Sequence, residues 1–190
     1  MPVISDIFHK VLDGFLPSST FAATRKIPIF IKLIILFIIL LLPCLPLFSR
    51  LVMEDGKTGR IVKVFPLQYG DRFEMVYTHS VNRTVVVDEF EIDDEGALIL
   101  KATTSQSFGA GIQEAPEPGE VFLSTSKGLF LANINRRLSE YRLFVGTVAG
   151  HTFKSKYITA SLDEWVPKGS PVIFKVKYVS FISILWRSTK

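Results

Sequence analysis

The chain is poor in the residues that staple small proteins together or perform chemistry in them. Its 190 residues hold one cysteine, Cys44, and three histidines, His9, His79 and His151. A single cysteine excludes an internal disulfide, so the fold must rest on its core, and cysteine usage says nothing of the redox compartment. The Gly109-Ala110-Gly111 loop is followed by no Lys-Ser/Thr pair and no opening helix, so neither common nucleotide-binding motif applies to it. There is no Gly-x-Ser-x-Gly elbow and no metal-ligand spacing of the helix or knuckle type. Internal repeats and low-complexity stretches are absent as well. Charge is not concentrated: from Arg50 onward 18 Lys/Arg stand against 16 Asp/Glu, spread along the whole segment. That distribution is a solvated surface and excludes a nucleic-acid footprint, which needs clustered cations on one face.

What the chain does have is one long apolar run. Leu33 to Leu42 contains only Leu, Ile and Phe, and Lys32 is the sole charge between Ile27 and Phe48. These 22 residues, at about 1.5 Å each, span a hydrocarbon core of roughly 30 Å if Lys32 snorkels to the interface. Leu33 and Leu42 bound the uninterrupted part and Phe48 ends the segment; Pro43 and Pro46 weaken its last turns by removing backbone donors. A removed signal peptide is the alternative, since the uninterrupted part has the length of an h-region. No Ala-x-Ala follows, and Pro43 stands before Cys44 where a lipoprotein signal wants a small residue, so an uncleaved single-span anchor is the reading adopted. Positive charges flank both ends and do not set the orientation. A short tail ahead of one span stays in the cytoplasm, which places the C-terminal domain outside. This gives three regions: a tail over 1–26, an anchor over 27–48, and an extracytoplasmic domain over 49–190.

In the tail, Ile4, Ile7, Phe8, Val11, Leu12 and Phe15 recur at spacings of three and four, the stripe of a short amphipathic helix that Gly14 and Pro17 bring to a stop. Such a helix lies in a membrane interface or docks on a membrane partner. Past Ser49 the period changes to two. Strands are expected at Ile61–Phe65, Phe73–Tyr77, Thr84–Ile92, Ala97–Leu100, Val121–Leu123, Leu129–Leu131, Tyr141–Val148, Lys156–Leu162 and Pro171–Phe181. Turn signals such as Gly70-Asp71, Asp93-Asp94-Glu95-Gly96 and Lys168-Gly169 separate them. Asn135–Glu140 leaves room for one helical turn. The fold class is therefore mainly β, an antiparallel β-sandwich or partly open barrel.

Residues 103–120 form a long connection holding Ser107-Phe108-Gly109-Ala110-Gly111, where Gly109 and Gly111 permit close backbone approach to a bound group or make a tight corner between sheets. If Asn82 and Arg83 make a two-residue turn, His79 pairs with Val86 and shares a face with Asp88 and Phe90, while Ser80 and Glu89 point the other way. His79 then does not activate its neighbour Ser80, and a hydrolase drawing on Ser80, Ser107 and His151 is the weakest of the readings. The two domain histidines could join an acid in holding a small molecule or a metal, or could simply be hydrogen-bonded at strand ends. No cofactor is implied.

Four motifs occur in order: Tyr77-Thr78-His79-Ser80-Val81, Asp88-Glu89-Phe90, Ser107-Phe108-Gly109-Ala110-Gly111, and Val145-Gly146-Thr147-Val148-Ala149-Gly150-His151. Together, from about Phe73 to Tyr178, they resemble a small bacterial family of uncharacterised domains found beside TAXI-type members of the tripartite ATP-independent periplasmic (TRAP) transporters. Val85 and Gln113 stand where that family often has proline, and both changes loosen the backbone. The resemblance implies a location and a company: a non-enzymatic, membrane-anchored accessory domain beside an importer of small organic solutes, carboxylates among them, in contact with its membrane subunits or its solute-binding protein. It also points to His79, Ser80, Asp88, Gly109, Gly111 and His151 as the positions of any site.

Overall fold

The computed structural model describes residues 28–81, 83–106, 116–125 and 128–188. The chain divides into two compact units, 1–40 and 41–190. The first holds all but the last residue of the helix α1, Ile29–Leu41, apolar at every position but Lys32 and with no buried residue. Thirteen residues at 1.5 Å rise make a helix of about 20 Å. Among the described residues no helix is long and apolar enough to cross a membrane. The expected 22-residue span is therefore not one helix. Leu33 lies in α1, but Leu42 opens a 3-10 turn, Leu42–Cys44, with Pro43 in its first positions, and Phe48 already belongs to a strand. The amphipathic stripe of the tail falls outside the described residues.

The second unit is built on eleven described strands: β1 Phe48–Asp55, β2 Ile61–Val64, β3 Arg72–Thr78, β4 Val85–Ile92, β5 Leu98–Ser105, β6 Val121–Thr125, β7 Gly128–Leu138, β8 Tyr141–Phe144, β9 Thr152–Ser155, β10 Thr159–Ser161 and β11 Pro171–Val179. They form two sheets, one of four strands in the order β2-β1-β11-β8 and one of seven in the order β10-β9-β3-β4-β5-β7-β6. Every pairing is antiparallel. Of the two expected β architectures, this is the two-sheet one.

Alternation explains how the sheets meet. Phe73 and Met75 on β3, Phe90 and Ile92 on β4, and Phe153 on β9 turn inward against Leu51 and Met53 on β1 and Phe174 on β11, and all are buried. Phe153 lies at the centre, its ring 4.2 Å from Phe65, 5.3 Å from Phe73 and 5.9 Å from Phe174. Each buried phenylalanine contributes about 1.5–3 kcal/mol by leaving water, and offset ring pairs add about 0.5–1.5 kcal/mol. The opposite face of β1 is also covered. There Val52 packs with Val64 and Val179 under Ile184 of the helix α2, Phe181–Ser188, and Glu54 is sealed beneath Lys175 and Lys177. Burial pushes the Glu54 carboxyl up, but the two ammonium groups outweigh it and hold the group below its ordinary range.

Five expectations need correction. The strand expected over Tyr141–Val148 ends at Phe144, where Val145 exchanges backbone hydrogen bonds with Ser170 and Gly169 and a turn follows. The strand β1 falls where the anchor was expected to end; Leu51, Val52 and Met53 are buried on both faces, so it carries no alternation. Residues 156–162 are not one strand: Ser155 and Ile158 close a tight hairpin between β9 and β10, and a capping box of Ser161 and Glu164 then starts a 3-10 turn. Residues 135–138 continue β7 because Leu138, Arg137 and Arg136 pair with Leu98, Ile99 and Leu100. Finally β11 stops at Val179, where the Ser180 hydroxyl accepts the amide of Ser183 and caps α2.

Candidate functional site

Four strands do not cover seven. Towards β5, β7 and β6 the inner face of the large sheet opens into a hollow of about 480 Å³. The register places its floor. Asp88 on β4 lies opposite Thr103 on β5, which lies opposite Leu131 on β7, which lies opposite Phe122 on β6. One step along the strands, Tyr77, Val86, Ser105 and Leu129 make a second row. Asp88 therefore stands in the same inward stripe as Phe90 and Ile92, an acid where the pattern calls for an apolar side chain.

That acid is only 8 % exposed. The Thr103 hydroxyl donates to its Oδ1 at 2.8 Å, and the Tyr77 hydroxyl bonds it as well. Burial raises the Asp88 carboxyl above the ordinary aspartate value of 3.8 despite both hydrogen bonds. Burial together with the Asp88 charge and bond drives the Tyr77 phenol upward too, so Tyr77 remains a donor. The ring of Tyr77 stacks on His151 at 5.3 Å between centroids. His151 is buried, which lowers its imidazole, and its Nδ1 accepts the amide of Gly146 at 3.3 Å. In the neutral ring that bond leaves the proton on Nε2, so His151 offers a donor and no free base. The segment from Val145 to His151 is tied to β3 by Thr78, whose amide donates to Ala149 O at 2.7 Å.

His79, Ser80, Asp88 and His151 all line the hollow. His79 pairs with Thr84 and not with Val86, because the loop between β3 and β4 is longer than two residues and turns at Arg83 with φ 54°. A slip of two keeps every side chain on its face, so His79 and Asp88 do share a side. The Nδ1 of His79 accepts the amide of Val81 at 3.3 Å. Gly109, Gly111 and Ser107 lie outside the described residues. Among the described residues no group of three or more His, Cys, Asp or Glu is placed to hold a metal ion.

Three further residues complete the site: Tyr77, Thr103 and Arg136. Tyr77 belongs to the first motif, and an inward tyrosine two residues before a histidine was its signal. Thr103 and Arg136 depend on irregularities. The ladder shifts between Leu100 and Ala102 on β5, and Asn133 and Asn135 on β7 adopt positive φ. Such a bulge reverses which residues face inward. Leu129 and Leu131 line the hollow before it, Ile134 and Arg136 after it. Arg136 thus reaches the rim with its side chain 48 % exposed, 3.7 Å from Glu117. The result is a hollow with apolar walls, a floor of neutral donors around one carboxyl, and a guanidinium at the edge.

No curated protein and no solved structure matches this chain. A family model does, over just under half of it, from the second residue of β3 to the start of the 3-10 turn after β10. The matched segment supplies the seven-stranded sheet except Arg72, together with β8, and it contains Tyr77, Asp88, Thr103, Arg136 and His151; β1, β2 and β11 come from outside it. The match carries no link to TAXI-type transporters, and it ends short of Tyr178, to which the sequence resemblance extends. The model that matches residues 73–162 is that of DUF1850, a domain of unknown function.

Proposed function

We propose that residues 41–190 form a binding module, not an enzyme, that takes a small organic acid into the hollow while the apolar segment 27–48 holds the chain at a membrane, outside the cytoplasm. The observation that carries the reading is the hydrogen-bonded cluster of Tyr77, Asp88 and Thr103 at the floor of a hollow walled by Val86, Leu129 and Leu131, with Arg136 at its rim. Buried polar groups orient a ligand, apolar walls desolvate its body, and a guanidinium at the mouth supplies the countercharge for a carboxylate. Binding is preferred to catalysis because Nδ1 of each histidine accepts a backbone amide, an arrangement that does not aim a basic nitrogen at Ser80. Membrane attachment is supported by α1, thirteen residues without a buried side chain and with one charge. Work beside a TAXI-type TRAP transporter belongs to the proposal on the strength of the sequence resemblance alone.

The test is thermal unfolding of the full chain in detergent against a panel of small mono- and dicarboxylates and divalent metals. A ligand at one hundred times its Kd adds about 2.7 kcal/mol, roughly 5 °C or more for a domain of this size. A carboxylate should give that shift in the wild type and lose it in Arg136→Ala and in Asp88→Asn. No shift with any acid, or one that survives both substitutions, would sink the reading.

A further inference from the structure

The helix α2 carries apolar residues on the wrong side. Ile184 packs inward on Val52, Val64 and Val179, as a helix on a sheet must. At 100° per residue, Phe181, Ile182, Leu185 and Trp186 then occupy one arc of about 140° facing away from the sheet. Their exposures are 46, 49, 56 and 66 %. A solvent-facing arc is ordinarily charged. This one has no charge, and Arg187 lies beyond its edge, towards the sheet-facing side of Ile184.

The surroundings say what covers it. α2 packs against the turn Leu42–Cys44, the point where the apolar segment runs into this unit. The Phe181 ring lies 6.3 Å from Phe48, and the Arg50 guanidinium sits 5.8 Å over the Phe48 ring. Leu45 and Leu47, on the connection from that turn to Phe48, are exposed too. No acidic residue occurs from Ile27 to Met53 or after Glu164, where five Lys and Arg are found. Exposed Trp, Phe and Leu on a helix that carries Arg187 and no acid, with Arg50 over Phe48 beside it, match the headgroup region of a bilayer containing anionic lipid.

We infer that α2 with Leu45, Leu47 and Phe48 is a second membrane contact, an interfacial helix that lies on an anionic lipid surface and fixes how the second unit stands on it. The inference rests on the membrane attachment proposed above for residues 27–48, and the experiment separates the two. The full chain is reconstituted into vesicles of phosphatidylglycerol and phosphatidylethanolamine whose acyl chains are brominated near the headgroup. The chain has two tryptophans, so Trp165→Phe leaves Trp186 as sole reporter. Flotation of the vesicles reads the anchor; quenching of Trp186 reads the helix. Expected is flotation with most Trp186 emission lost, and recovery of that emission in Leu185→Glu while flotation persists. Flotation with unquenched Trp186 would overturn the helix contact and leave the anchor standing. Failure to float would overturn both. Unquenched emission that shifts to the blue with protein concentration would mean that a second copy covers the arc, and would also overturn the inference. Should Trp165→Phe not fold, the difference in quenching between wild type and Leu185→Glu gives the same reading, because Trp165 packs against Phe65 of the core.

Discussion

Replacing Asp88 by Asn should change how stability depends on pH, and the sign follows from burial. The Asp88 carboxyl is raised above 3.8 in the folded chain, so between the unfolded and folded midpoints the native state binds the extra proton. Stability then falls as pH rises through that interval, by about 1.4 kcal/mol for each pH unit it covers, and stays lower above it. Asn removes the ionisation and retains an oxygen for the Thr103 hydroxyl. An amide facing the Tyr77 hydroxyl costs about 1–3 kcal/mol if the pair cannot reorient, a loss that does not vary with pH. His151 acts in the opposite direction. Its lowered imidazole contributes stability that is present above the ordinary value of 6.5 and lost as pH falls through the folded one. Burial alone causes that shift, so it is common to both proteins and cancels in their difference. Glu54, Asp93 and Asp163 are held below their ordinary values and matter only in more acid solution. Urea unfolding at half-unit steps from pH 4 to 8, followed by circular dichroism, gives the two curves. Wild type minus Asp88→Asn should decline as pH rises above 4 and then level off. Parallel curves would refute the assignment of Asp88 as a buried, reluctant acid.

Gly128 should tolerate no side chain. Its φ is +132°, and a Cβ there would lie 2.5 Å from the Ser105 carbonyl oxygen, whereas Gly119 at φ +95° faces open space. Gly128→Ala is expected to cost at least about 1 kcal/mol more than Gly119→Ala in denaturant unfolding, since only the first adds a clash to the backbone strain. Glu54→Gln removes the carboxylate between Lys175 and Lys177 and should cost roughly 1–3 kcal/mol at pH 7, with the gap to wild type closing as acid protonates Glu54. A fragment of residues 73–162 should fail to unfold cooperatively by calorimetry, because Phe73, Phe90 and Phe153 would lose Leu51, Met53, Phe65 and Phe174.

The β3–β4 hairpin was legible in the sequence because each strand has one dry face, so Phe73, Met75, Phe90 and Ile92 alternate with polar neighbours. β1 was not, because Val52 is buried beneath α2 as thoroughly as Leu51 is in the core, and burial on both sides erases the period. Its residues continue an apolar run that already had another reading. α2 was hidden for the reverse reason: a capped eight-residue helix directly after a strand offers too few turns for its period to stand out. In the site, Asp88 and His79 could be placed on one face from alternation, and an error of two in register left that intact. Thr103 and Arg136 could not be placed, since each lies beyond an irregularity that no pattern in the residues announces.

The kink in β7 makes the polar character of the cavity a matter of counting. Removing one residue near Asn133 would rotate everything that follows by half a turn, setting Asn135 in the wall position of Ile134 while Arg137 replaces Arg136 at the rim, with composition almost untouched. Descendants of such a scaffold could exchange one guest chemistry for another through a single codon lost or gained, leaving the aromatic centre undisturbed.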